Sequence, residues 1–180
     1  MGKPAATSAT GSPSHRKNGW RRWKASGVNT TCGGTAINRD FKEFIQSLNG
    51  HDVRYLVVGG YAVAYHGHPR YTKDMDVWVW MEPDNADRLL EALNDFGFGG
   101  IGLKAIDFLE PGQVIQLGYP PNRIDILTDL KGVTFPACWE RRVVVDIDGT
   151  TVNFIDLPHL KANKRATGRH QDLADLENLA

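Results

Sequence analysis

The stretch from Gly59-Gly60-Tyr61 to Asp74-Met75-Asp76 limits what this chain can fold into more than any other part of it. The apolar run Tyr55-Leu56-Val57-Val58 has strand character, and the diglycine that ends it lets the backbone turn tightly and come close to a ligand. If residues 73 to 80 form a second strand, side-chain alternation places Asp74 and Asp76 on one face and Met75 and Val77 on the other. Two neighbouring carboxylates in a low-dielectric setting repel each other and raise one pKa, so a divalent cation is their natural partner. The arrangement reads as a metal-dependent, phosphate-handling site.

The rest of the pattern alternates between helix and strand. Phe41, Phe44, Ile45 and Leu48 follow helical spacing, with Asn38 or Asp40 as the cap and Gly50 as the stop. A short helix over 61 to 65 opens at the diglycine and is broken by Gly67-His68-Pro69. Pro83-Asp84 starts an amphipathic helix with Ala86, Leu89, Leu90, Leu93 and Phe96 on its apolar face, and Gly97 is its expected C-terminal stop. The runs 114 to 117 and 123 to 127 flank Gly118-Tyr119-Pro120-Pro121 and predict an antiparallel pair. Asp148-Gly149 predicts a hairpin between 143 to 147 and 151 to 155. The chain closes in helical pattern from 157 to 179, broken near Gly168.

Charge divides the sequence. Lys3, Arg16, Lys17, Arg21, Arg22 and Lys24 lie in residues 1 to 36 with no acid, giving that segment +6; the whole chain is +0, so the remaining 144 residues carry −6. The first 36 residues lack a hydrophobic period and read as a disordered basic arm, with one domain over 37 to 180. Within the arm, Trp20-Arg21-Arg22-Trp23-Lys24 has the composition to stack on and neutralise a nucleic acid, although such tracts are usually solvated tails. The acidic body argues against tight nonspecific duplex binding. Cys32 and Cys138 share no metal-ligand spacing, which fits a reduced, cytoplasmic protein. No apolar run approaches the roughly 18 to 20 residues of a membrane span. There is no P-loop pattern and no H-E-x-x-H.

A third carboxylate completes the pattern. Asp125 sits inside the apolar strand Ile124-Asp125-Ile126-Leu127, where an ionised side chain is costly unless it is paired or holds a metal. Taken together, Val57-Val58-Gly59-Gly60-Tyr61-Ala62-Val63, Arg70-Tyr71-Thr72-Lys73-Asp74-Met75-Asp76 and Arg123-Ile124-Asp125-Ile126-Leu127 resemble the small bacterial nucleotidyltransferases of the DNA polymerase beta superfamily. Within it, the AbiEii-type or minimal nucleotidyltransferases look most similar. The resemblance covers residues 38 to 180 and extends to the helical ending from Lys161 to Leu176.

That resemblance implies an α+β fold, a small mixed β-sheet flanked by helices like the polymerase beta palm. It implies an enzyme that binds an NTP such as ATP, uses Mg²⁺ or Mn²⁺, and passes the NMP to RNA, protein or a small molecule. A place as the toxin of a toxin–antitoxin pair, with a cognate partner protein, belongs to the same implication. By position, Asp74 and Asp76 bind the metals, Asp125 completes the site and activates the attacking hydroxyl, and Gly59, Gly60, Tyr61 and Thr72 contact the nucleotide. Lys164 and Arg169, from their charge, are clamps for the triphosphate, and Asp172 can hold one of them; otherwise they form a solvated helix face. Arg70 and Lys73 either neutralise substrate phosphate or offset the aspartates. His66 and His68 read as loop residues, with proton shuttling as the alternative. The ending of some twenty residues is too short for a separate acceptor-binding domain, so a noncatalytic or antitoxin-like relative acting through a protein partner is the competing reading.

Overall fold

A computed structural model describes residues 7–8, 39–68, 72, 74–119 and 123–179. The expected basic arm, apart from a two-residue strand β1 (Thr7–Ser8), and the roles expected of Arg70 and Lys73 lie outside the described residues.

The helical spacing of Phe41, Phe44, Ile45 and Leu48 produces α1 (Arg39–Gly50), and all four are buried to within 1%. Strand β2 (Tyr55–Val57) runs into α2 (Gly59–Tyr65), then β3 (Asp74–Val79) and α3 (Pro83–Leu93) follow. Proline at the start of α3 costs nothing, because that N–H has no helical partner. Gly97 does not simply stop α3. The helix passes into a π-helical turn over Asn94–Phe98, inside which Gly97 adopts φ 109°, a conformation that side chains disfavour.

The second half contains β4 (Val114–Leu117), β5 (Arg123–Leu127), α4 (Phe135–Glu140), β6 (Val143–Ile147), β7 (Thr150–Phe154), α5 (Leu157–Thr167) and α6 (His170–Asn178). Gly168, at φ 65°, provides the left-handed C-cap between the last two helices. Helix α4 and the short 3₁₀ turn over Ala105–Phe108 have no counterpart in the sequence reading.

The sheet order is β1-β4-β5-β3-β2-β7-β6, with β2 to β7 forming a six-stranded mixed body and β1 pairing at its β4 edge. The predicted β4/β5 and β6/β7 pairs are antiparallel, whereas β3 and β5 run parallel. This is the expected α+β architecture. The two faces at β3 differ in kind. Tyr55 pairs with Val79 and Val57 with Val77, on the face that α1 covers, where the Tyr55 hydroxyl donates to Asn49 Oδ1 at 3.0 Å. Asp74 and Asp76 fall on the opposite face. Farther along that face Trp78 is buried edge-on against Phe135 of α4, and its indole N–H donates to the Thr128 carbonyl. Helix α4 thus seals one end of this face with aromatic surface, and the carboxylates sit at the other end.

Candidate functional site

Strand register assembles the site. Parallel pairing sets Asp74 beside Arg123 and Asp76 beside Asp125, and antiparallel pairing sets Gln116 of β4 beside Asp125. Paired residues project from the same face of a sheet, so the three aspartates, Arg123 and Gln116 share one surface.

The diglycine wraps Asp76. Val58 N–H donates to the Asp76 carbonyl at 3.0 Å, and Gly60 N–H donates to the Asp76 carboxylate. Gly59 has φ 59°, and a Cβ placed there would lie 2.0 Å from Asp76 Oδ2. Glycine is therefore demanded twice at position 59, by backbone conformation and by the carboxylate pressed against it. Thr72 Oγ1 donates to the Asp74 carbonyl at 3.1 Å, which fixes the entry to β3. Tyr61 is buried edge-on against Phe41, so its ring lies in the core.

Burial pushes the Asp76 carboxyl up to about 6, and the charges of Asp125 and Asp74 add to the rise, while the Gly60 N–H and the charge of Lys164 oppose it. Asp125 is also raised, by burial first, against hydrogen bonds from Arg123 and Gln116. The site holds more negative charge than its surroundings readily accommodate.

Arg123 relieves part of this strain. Its Nη2 donates to Asp74 Oδ2 at 2.8 Å and to Asp125 Oδ2 at 3.0 Å, and its Nε donates to Asp125 Oδ1 at 2.7 Å. The sequence gives Arg123 no role beyond its place in the motif around Asp125, and it does not single out Gln116. Alternation along β4, with Ile115 and Leu117 buried, was the signal that could have placed Gln116 on the polar face.

The expected clamps lie at the α5–α6 hairpin. Lys164 is buried, and its Nζ donates to Asp172 Oδ1 at 2.7 Å and pairs with Asp175 Oδ2 at 2.8 Å. Arg169, with its side chain 76% exposed, donates through Nε to Asp172 Oδ2 at 2.8 Å. Burial alone would raise Asp172, but the hydrogen bonds from Lys164 and Arg169 carry it below the usual carboxylate range. The pairing foreseen for Asp172 is present with both cations, and Asp175 was missed. His66 Nε2 donates to the Ile155 carbonyl at 2.8 Å, tying α2 to the end of β7.

The donor set fits a hard divalent cation in chemistry, being three carboxylates in excess over one guanidinium. It is not arranged as a finished coordination shell: among the described residues no three acidic, histidine or cysteine side chains are grouped to hold an ion. Asp74 and Asp125 instead turn oxygens to the nitrogens of Arg123.

No family model matches the chain, and no curated protein matches it. Among solved structures, it is similar to a candidate nucleotidyltransferase from Thermotoga maritima, with a TM-score of 0.53 and 14% identity, over 78% of this chain and 89% of that one. It is also similar to an antigenic nucleotidyltransferase-like protein from Paracoccidioides brasiliensis, with a TM-score of 0.47 and 15% identity, over 77% of this chain and 71% of that one. The first likeness shows the fold: a nucleotidyltransferase-type mixed sheet with flanking helices. Among the described residues, no helix is long and apolar enough to cross a membrane.

Proposed function

We propose that this chain is a metal-dependent nucleotidyltransferase that moves an NMP from an NTP, ATP among them, to an RNA, protein or small-molecule acceptor and releases pyrophosphate. The observation that carries this reading is the parallel β3/β5 register, which sets Asp76 beside Asp125 with Asp74 on the same face and a side-chain-free glycine pressed against Asp76. Asp74, Asp76 and Asp125 would hold Mg²⁺ or Mn²⁺, which when bound supplies Lewis-acid neutralisation of phosphate oxygens.

The protein's own groups do the remaining work. An acceptor oxygen attacks the α-phosphorus, its O–P bond forms as the bond to the β-phosphate oxygen breaks, and pyrophosphate leaves with that electron pair. Asp125, raised by burial, takes the proton of the attacking hydroxyl. Lys164 biases the field at Asp76 from its buried seat, and the exposed Arg169 offers a fork to triphosphate oxygens. Gly59 keeps the Asp76 carboxylate within reach of a ligand.

The test is incubation with labelled NTPs, Mg²⁺ and candidate acceptors such as tRNA, protein and an aminoglycoside. Transfer that survives intact in Asp76→Asn would remove the assignment. An AbiEii-like cytoplasmic toxin paired with a cognate protein is the finer form of this proposal, checked by whether expression arrests growth and a co-encoded partner relieves it.

One observation favours a second reading. The guanidinium of Arg123 already satisfies Asp74 and Asp125, as it would in a noncatalytic member that acts through a protein partner. Stoichiometric copurification of a partner with no NTP turnover would select this second reading.

A further inference from the structure

We infer that Arg123 is the internal counter-ion of the site: its forked guanidinium holds Asp74 and Asp125 until a divalent cation takes their oxygens, so that metal loading exchanges one cation for another. The inference rests on the metal-site reading of the three aspartates.

The contacts divide the carboxylates unevenly. Arg123 binds Asp74 through one nitrogen and both oxygens of Asp125 through two, whereas Asp76 is met by the Gly60 N–H and lies outside the fork. A cation ligated by all three aspartates needs oxygens that the fork uses, and a guanidinium and a metal ion cannot both occupy the space between Asp74 and Asp125. Arg123 is placed to give way, since its side chain is 27% exposed and Asp74, its outer partner, is 33% exposed. Asp125 keeps a partner when the fork leaves, because Gln116 also hydrogen-bonds it. The device has a physical rationale. Without a cation, three clustered carboxylates repel, and a guanidinium with its fixed fork is the side chain best shaped to bridge two of them. Its single charge, set against the two of Mg²⁺ or Mn²⁺, leaves a surplus that the metal can neutralise better.

The test follows the Nε–H signal of Arg123 by ¹⁵N NMR on the full chain, assigned by its loss in Arg123→Gln, during titration with Mg²⁺. In parallel, Mn²⁺ affinity and metal-free melting are measured for the parent, Arg123→Gln and Arg123→Lys. The expected result is a signal that moves as Mg²⁺ binds. Arg123→Gln should bind Mn²⁺ at least about tenfold more tightly, on the scale by which groups around a metal site alter affinity, yet melt at a lower temperature without metal. Arg123→Lys, which keeps the charge and loses the fork, should fall between. A signal unmoved at saturating Mg²⁺, or Mn²⁺ binding no tighter in Arg123→Gln, overturns the exchange while leaving the metal site intact. Absence of Mn²⁺ binding in every form overturns both the exchange and the metal reading. If Arg123→Gln fails to fold, the parent titration and Arg123→Lys decide the matter.

Discussion

At the ends of β3 and β5, three aspartates face one guanidinium; between α5 and α6, two aspartates face an ammonium and a guanidinium. The first group is partly open and over-supplied with negative charge, and burial and mutual repulsion raise Asp76 to about 6. The second is balanced and, apart from the exposed Arg169, buried, and Asp172 is lowered by its hydrogen bonds to Lys164 and Arg169. The same residue types thus serve opposite ends. A balanced buried cluster fixes the geometry of a helical hairpin, while an unbalanced one beside a strand end stores unfavourable charge that a bound cation can relieve. Lys164 joins the two, since it locks the hairpin and also acts on Asp76.

The largest effect should come from the balanced cluster. Lys164→Met leaves Asp172 and Asp175 buried without their ammonium and is expected to cost about 3–5 kcal/mol in urea unfolding, as for other broken buried pairs. A loss below 1 kcal/mol would mean that the hairpin does not depend on the pair. The unbalanced cluster should behave in the opposite sense. Asp76→Asn is expected to raise metal-free stability at pH 7.5 and to weaken Mn²⁺ binding by more than about 100-fold, beyond the loss typical of outer-shell groups. Calorimetry reads the second effect and thermal melting the first.

Gly59→Ala combines a left-handed backbone with a Cβ driven into Asp76 Oδ2. It should cost about 1–3 kcal/mol in denaturant unfolding and reduce metal affinity as well, since Asp76 must move.

Acidity separates the clusters further. The carboxyl of Asp76 binds a proton more readily folded than unfolded, so its contribution to stability falls as pH rises from about 4 to 6 without metal. Asp172, with its lowered pKa, contributes stability present above the unfolded value and lost as pH falls through the folded one. Melting temperatures across pH 3 to 8 should therefore descend less steeply between 4 and 6 in Asp76→Asn, with the raised Asp125 keeping its own part, and should retain the acid-side loss. Mg²⁺ should raise the melting temperature more at pH 7.5 than at pH 5. The smallest effect belongs to Arg169→Ala. Its exposed pair with Asp172 should contribute no more than about 1 kcal/mol to urea unfolding, so any larger loss of NTP binding in that variant would come from phosphate contact.

The unbalanced cluster was the more legible of the two in the sequence. Period-two alternation is enough to put Asp74 with Asp76 and Arg123 with Asp125, and an acid within an apolar strand marks Asp125 as special. What alternation cannot supply is strand order. The bridge from Arg123 to Asp74 exists only because β5 lies beside β3 in that register. The balanced cluster was harder to read, because charge alone does not distinguish a solvent-facing lysine from one folded between two helices. Asp172 was foreseen as a partner, but burial of Lys164 against Asp175 follows from the bend at Gly168, which fixes how α6 returns along α5. Helix α4 was missed although Thr134-Phe135-Pro136 is an ordinary helix opening, because six residues are too few to show a hydrophobic period.

The pairing of β3 with β5 also governs when the site can appear during folding. Asp76 and Asp125 stand 49 positions apart, and closing a flexible loop of that length costs about 3 kcal/mol beyond a constant. Contacts between positions this remote in sequence form slowly and late. A chain emerging from synthesis through Trp80 already carries Asp74 and Asp76 but not Asp125, and it assembles the three-aspartate cluster only when β5 docks. On the proposed function, metal uptake would be tied to completed topology, and divalent-cation binding during refolding would mark the moment at which the central strands come together.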